Sequence, residues 1–434
     1  MMRAAAAAAI SAAMLLVPGG SATADVVTSG TSGVLQPHVL PSKDPFYRYG
    51  GQLPLRRVHP GTVLRSRPVT LALPKLQTPI SATQLLYRTR DELGHPSVEV
   101  TTVVVPLPVP VQPRILAYLS FYDALGSECD PSYTLRGGYA GNTSNENQAK
   151  EEDALVVSNL AQGLVVTVPD FEGTDEHWAA GHEAGYGTLD AIRATESFLD
   201  VTAATKVGMY GYSGGSIAAD WAAELAPRYA PALNLVGVAM GGIPVDLAHN
   251  LRYVNGSRGW SGVVPAVMVS LTRAFHLDLA KYGSAYGAKI FDAVKRECIG
   301  SFLGAYPGLR VERLVKHRYR HILQVPAFTR IANRLIMGSV PGHPIAPFFM
   351  AVGNADGVGD GVMVARDVEA LAHEYCDQGD PVELQIYKGA THTEAALHFE
   401  SPAVAYLLER FAGVRATGSC SSIPRGSSLA PLPT

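Results

Sequence analysis

Short β-branched and apolar runs alternate with alanine-rich stretches along most of this chain. Gln84–Arg90 and Ser97–Val105 flank Asp91-Glu-Leu-Gly-His95, which predicts a β-hairpin. Further strand candidates are Arg114–Ser120, Leu164–Val168, Lys206–Tyr210, Leu235–Met240, Pro347–Val352 and Val382–Tyr387. Strands that alternate with helices imply a mostly parallel sheet covered on both faces, the α/β class. Between Gly242 and about Gly338 the pattern becomes near-continuously helical, as in Val264–Phe275 and Ala288–Cys298, and no strand candidate interrupts it. The sheet pattern then resumes, so residues 243–338 read as a helical cap inserted into a domain of residues 25–434. Residues 25–44 are polar and turn-rich and predict an extended arm. No internal repeat is found.

The first 24 residues follow a different pattern. Arg3 precedes the apolar stretch Ala4–Val17, then Pro18-Gly-Gly-Ser and Ala22-Thr-Ala24. A charged start, an apolar core and an A-x-A site form a signal peptide, so residues 1–24 are expected to be removed and the chain to be secreted from near Asp25. The apolar core is short for a membrane span, and no later stretch of about 18 uninterrupted apolar residues predicts a transmembrane anchor.

Composition narrows the function. Of 434 residues, 17% are charged, against roughly 25% in average soluble domains. With 43 Gly and 30 Pro the chain suits a loop-rich exported enzyme. A net charge of −3 without a basic run gives no case for nucleic acid. Four cysteines in an exported chain favour two disulfides, and no two of them stand at zinc-ligand spacing.

The candidate chemistry centres on Gly211-Tyr-Ser-Gly-Gly215, after the strand candidate Val207–Tyr210 and before the helical stretch Ile217–Leu225. This is the pattern of a nucleophile elbow, in which a serine occupies a strained strand-to-helix turn and glycines keep Cβ atoms out of the close backbone approach. An α/β-hydrolase orders its triad as serine, acid, histidine. Lys388-Gly-Ala-Thr-His392 follows the last strand candidate and offers the base, because imidazole, with a pKa near 6.5, accepts a serine proton and returns it near neutral pH. His398 is the next nearest histidine and falls in predicted helix. For the acid, Asp356 and Asp360 lie on one glycine-rich loop after a strand; one would face the histidine and the other would bind its own loop's amides. The oxyanion hole needs two backbone N–H donors. Gly214 follows the nucleophile, and Asp123 or Ala124 in Ser120–Leu125 is the second candidate. His182-Glu183 opens like a zinc motif but Tyr186 stands where the second histidine belongs, and Gly185-Tyr-Gly187 lacks the third glycine of a dinucleotide fingerprint at Asp190. Asn142-Thr-Ser and Asn255-Gly-Ser are glycosylation sequons, relevant in a host with that machinery.

These residues resemble the secretory lipase family typified by fungal lipase A, an α/β-hydrolase group with a helical cap. The resemblance spans about residues 40–425 and rests on the elbow, on Tyr122-Asp-Ala with Cys129-Asp-Pro-Ser-Tyr133, on Pro169-Asp-Phe-Glu-Gly173 and on Leu189–Ala194, in that family's order. It implies hydrolysis of triacylglycerols or other lipid esters, with a lipid–water interface as a partner surface and no metal or organic cofactor. It carries the nucleophile to Ser213 and the base to His392. It also implies the pairings Cys129–Cys298 and Cys376–Cys420. At the acid the chain departs from the family, whose Asp precedes two apolar residues and a proline; this loop is longer and Val364 stands at the proline's place. Counting back from Cys376 favours Asp360, and counting forward from the strand end favours Asp356. Acyl transfer or amide hydrolysis on the same scaffold, and lipid binding without turnover, are the rival functions.

Overall fold

The computed structural model describes residues 39–73, 79–139, 141, 143–342 and 344–433. The leader segment 1–24 and the Asn142 sequon lie outside the described residues. Nine strands are present: β1 Val63–Pro68, β2 Ile80–Arg90, β3 Pro96–Pro106, β4 Ile115–Leu119, β5 Val165–Pro169, β6 Lys206–Tyr212, β7 Asn234–Gly241, β8 Phe348–Asn354 and β9 Val382–Lys388. They form one sheet in the order β1-β2-β3-β5-β4-β6-β7-β8-β9. The first three strands and β5 pair antiparallel, and every pair from β5–β4 to β8–β9 is parallel. This is the α/β architecture the sequence pattern implies. β1 is an addition to the expected strands. Of the extended arm expected over residues 25–44, residues 25–38 lie outside the described residues; at its end Pro41–Lys43, and after it Pro45–Tyr47, form short 3₁₀ turns, with the Asp44 side chain accepting Phe46 N–H at 2.9 Å and pairing with Arg67.

Every residue of β4 and β5 is buried. Alternation divides their side chains between two cores. Ile115, Ala117 and Leu119 of β4 face one core with Leu189 and Ile192 of the helix Gly181–Phe198 and Trp221 of the helix Gly214–Tyr229. Leu116 and Tyr118 face the other with Val156 of the helix Thr143–Ala161 and Phe399 and Leu407 of the helix His392–Phe411. A sheet buried on both faces explains why its central strands read as unbroken apolar runs.

Between β7 and β8 the described residues contribute helices, among them Leu247–Val254, Val263–Ala274, Ala285–Val294 and Pro326–Arg334, and no strand of the sheet. Among the described residues no helix is long and apolar enough to cross a membrane.

Two disulfides are present, Cys129–Cys298 and Cys376–Cys420. The first closes a sequence separation of 169 residues, against 44 for the second. It also sits where Ala124 bridges Cys298 and Leu125 N–H donates to Glu297 O at 3.0 Å. Replacing Cys129 and Cys298 by alanine is expected to lower unfolding stability by about 2–5 kcal/mol, because the longer crosslinked loop restricts the unfolded chain more. Urea unfolding of the double variant beside the Cys376/Cys420 double variant checks the ranking; a smaller loss at the first bridge contradicts it.

Candidate active site

β6 ends in a turn at Ser213 and the chain re-enters helix at Gly214. Ser213 has φ 51° and ψ −120°, in the left-handed half of the map where a non-glycine residue is strained by about 1–3 kcal/mol. Its N–H donates to Gly241 O on β7 at 2.9 Å, and its C=O accepts Ser216 N–H at 2.9 Å, so the strained conformation is fixed from both sides. The flanking glycines are required by contact. A Cβ on Gly211 would lie 2.2 Å from Gly215 O, and one on Gly215 would lie 2.0 Å from Leu119 O.

His392 Nε2 lies 2.9 Å from Ser213 Oγ, and its Nδ1 lies 2.7 Å from Asp360 Oδ2. The other Asp360 oxygen accepts N–H groups of Val362 at 3.0 Å and Met363 at 2.7 Å, which fixes the carboxylate's orientation. Serine, histidine and aspartate are all buried. His392 is the first residue of the helix His392–Phe411 rather than part of a free loop. A capping box at Thr391 and Glu394 sets that helix start, Tyr212 Oη–H donates to His392 O at 2.6 Å, and the Trp260 ring packs edge-on to the imidazole at 5.1 Å. With Nδ1–H directed to a carboxylate, Nε2 is free to accept the serine proton. His398 lies in the same helix and packs on Tyr387, away from these bonds.

Asp356 takes the other part foreseen for this loop. It is exposed, its Oδ1 accepts Val358 N–H at 2.8 Å and Gly359 N–H at 2.9 Å, and Tyr253 Oη–H donates to Oδ2 at 2.8 Å. It contacts neither His392 nor Ser213. The candidate donor Ala124 also needs correction, because its N–H already donates to Glu172 Oε2 at 2.8 Å. Asp123 remains beside the elbow: it has φ 43°, and a Cβ on Gly214 would lie 1.6 Å from its Oδ1. Glu172 had a signal in the Pro169–Gly173 segment and Tyr212 lies within the elbow motif itself; Trp260 had none.

Ser213 opens onto a small apolar cavity lined by Asp123, Gly214, Ile217, Trp260, Val263, Met363 and others. A second cavity, of about 120 Å³, is walled by Leu251, Val264, Met268, Leu271, Phe328 and Ile331. Leu247, Asn250, Val263, Val267 and Val362 line both. The two spaces adjoin, and the second lies among the helices between β7 and β8.

Asp91, His95 and His276 are a group with ligand atoms within 4.8 Å of one another. Zinc bonds near 2.0–2.1 Å bring tetrahedral ligand atoms to roughly 3.4 Å apart, so these side chains would have to close in to hold that ion. None of the three lines the cavity at Ser213.

A mostly parallel sheet that delivers a serine on a strained strand-to-helix turn, followed in chain order by an aspartate and by a histidine that bonds both, defines an α/β-hydrolase. The sequence model of the secretory lipase family matches residues 141–419, and the chain belongs to that family. It is 33% identical over 387 residues to a Mycobacterium tuberculosis protein described as a "Probable inactive lipase", covering 86% of this chain and 83% of the relative. It is 30% identical over 405 residues to Lipase A of Arthroderma benhamiae, covering 88% and 82%. The crystal structure of Candida antarctica lipase A superposes with a TM-score of 0.81 at 25% identity, covering 93% of this chain and 92% of that one. The family and its lipase and esterase relatives support carboxylic ester hydrolysis.

Proposed function

We propose that this chain is a secreted serine lipase or carboxylesterase that hydrolyses acyl esters of lipids through an acyl-enzyme on Ser213. The observation that carries the reading is the continuous pair of hydrogen bonds from Asp360 through His392 to Ser213. In this reading Ser213 Oγ attacks the ester carbonyl while His392 Nε2 takes its proton; collapse of the tetrahedral intermediate expels the alcohol, which leaves with that proton. Water, deprotonated by His392, then attacks the acyl-enzyme and releases the acid. Asp360 holds the imidazole in its productive tautomer and stabilises the imidazolium. The N–H groups of Gly214 and Asp123 receive the negative charge on the carbonyl oxygen. Residues 1–24 act as the export signal, and the relatives described as secreted support an extracellular location.

Residues 243–338 serve as a cap that receives the acyl chain, since apolar side chains from this segment line both adjoining cavities. Val267, shared by the two, sits at their junction. Val267→Trp is expected to reduce hydrolysis of p-nitrophenyl palmitate about 10-fold or more while p-nitrophenyl acetate stays within about 2-fold, since blocking an apolar pocket removes roughly 1–3 kcal/mol of transition-state binding. Equal loss on both esters contradicts the channel. Lipid binding without turnover is a second reading, favoured only by the relative described as inactive. Covalent labelling of Ser213 by a fluorophosphonate, with ester turnover that disappears when Ser213 is blocked, decides for catalysis; an unlabelled serine and no turnover decide for binding.

A further inference from the structure

Two buried carboxyls hold the loop after β4, and neither takes part in the proton transfers between Ser213 and His392. Glu152, on the helix Thr143–Ala161, accepts Phe121 N–H at 3.0 Å and Ser120 Oγ–H at 2.9 Å. Glu172, just beyond β5, accepts Ala124 N–H at 2.8 Å, while its own N–H donates to Tyr122 Oη at 2.6 Å. Asp123 lies between the two anchored amides, in the left-handed conformation and against Gly214. A residue in that conformation keeps it only where its neighbours over-determine it.

We infer that Glu152 and Glu172 are positioning residues for acyl transfer: by engaging the amides of Phe121 and Ala124 they clamp the Tyr122-Asp123 segment from both ends, so that the N–H of Asp123, the one of the two that lies against Gly214, is held toward the reacting carbonyl oxygen. The inference rests on Ser213 being the nucleophile.

Their charge state matters as much as their geometry. Burial pushes Glu152 up to about 7. Burial, and then the Asp123 carboxyl, hold Glu172 well above the ordinary carboxylate range. The titratable groups facing Glu152 are Tyr118, Asp123, Asp153 and Tyr210. Those facing Glu172 are Tyr122, Asp123, Asp130, Asp170 and Glu176. Protonated, both glutamates still accept amide N–H groups and add no negative charge beside the oxyanion. As pH rises through about 7, Glu152 ionises and opposes the charge that develops there.

The test is kcat and KM on p-nitrophenyl butyrate from pH 5 to 9 for wild type, Ser213→Ala, and Ala and Gln variants at 152 and 172, with rates expressed per fluorophosphonate-titrated serine, and per mole of protein for Ser213→Ala. Alanine removes the acceptor and is expected to lower kcat about 10- to 100-fold with KM within about 3-fold, as for loss of one oxyanion donor or less. Glutamine keeps an acceptor and is expected to recover most of that loss. Glu152→Gln is also expected to retain its rate above pH 8, where wild type declines. Full kcat in the alanine variants overturns the inference. Where an alanine variant does not fold, a Glu152→Gln profile superimposable on wild type at high pH overturns it instead. Absence of Ser213-dependent turnover in wild type would sink the nucleophile assignment itself; Ser213-dependent turnover with unaltered glutamate variants sinks only the positioning role.

Discussion

Ser213→Ala is expected to lower kcat on a short p-nitrophenyl ester by about 10⁴-fold or more, because without a nucleophile no acyl-enzyme forms and only binding and oxyanion donors still act on the substrate. KM should change little, since Oγ contributes one hydrogen bond, to His392, and alanine keeps the Cβ at the wall of the cavity that Ser213 lines. The fold should survive. The contacts that hold the elbow come from the Ser213 backbone, through Gly241 O and Ser216 N–H, and alanine keeps both. Alanine adopts the positive φ no more readily than serine, so the strain is unchanged and the melting temperature should move by only a few degrees. Measurement is direct: a full progress curve and a thermal melt on the same preparation. More than about 1% residual turnover in a folded variant would remove Ser213 from the mechanism.

The elbow was legible in the sequence because everything it needs is local. A strand, two glycines that steric contact demands and a helix follow one another within about 25 residues. His392 was legible by its place after the last strand, although the capping box that makes it a helix start was overlooked. β1 was not legible: Val-Leu-Arg-Ser-Arg-Pro carries two arginines and a proline, tolerable because it lies at the sheet edge and pairs only with β2. Glu152 was hidden for the opposite reason. It belongs to a polar helix in which one glutamate among several turns inward, and only the contact of that helix with the loop after β4 singles it out. The second oxyanion donor could not be settled between Asp123 and Ala124, because the residue that occupies the Ala124 amide comes from 48 positions further along the chain.

The acid loop poses the same difficulty in its sharpest form, and its resolution carries the other large expected effect. Asp356 and Asp360 share one glycine-rich loop and both accept backbone N–H groups from residues two and three positions later. Sequence therefore assigns them nearly the same local environment. What separates them is a long-range contact: Asp360 alone meets His392, through Nδ1 to Oδ2 at 2.7 Å and through its own C=O, which accepts His392 N–H at 2.9 Å. Asp360→Asn is expected to lower kcat about 10⁴-fold. The amide oxygen can still accept the N–H groups of Val362 and Met363, which turns the NH₂ group toward the imidazole. Nδ1 must then accept instead of donate, the ring proton moves to Nε2, and the nitrogen facing Ser213 can no longer take a proton. Backbone contacts survive, so structure and KM should hardly change. Asp356→Asn keeps an acceptor for Val358 and Gly359 on the exposed side of the loop and leaves the histidine untouched, so kcat should fall by less than about 5-fold. Steady-state kinetics on both variants against one ester separates the cases. A larger loss at Asp356 would mean that the loop's outer carboxylate, not the one bonded to His392, sustains the reaction.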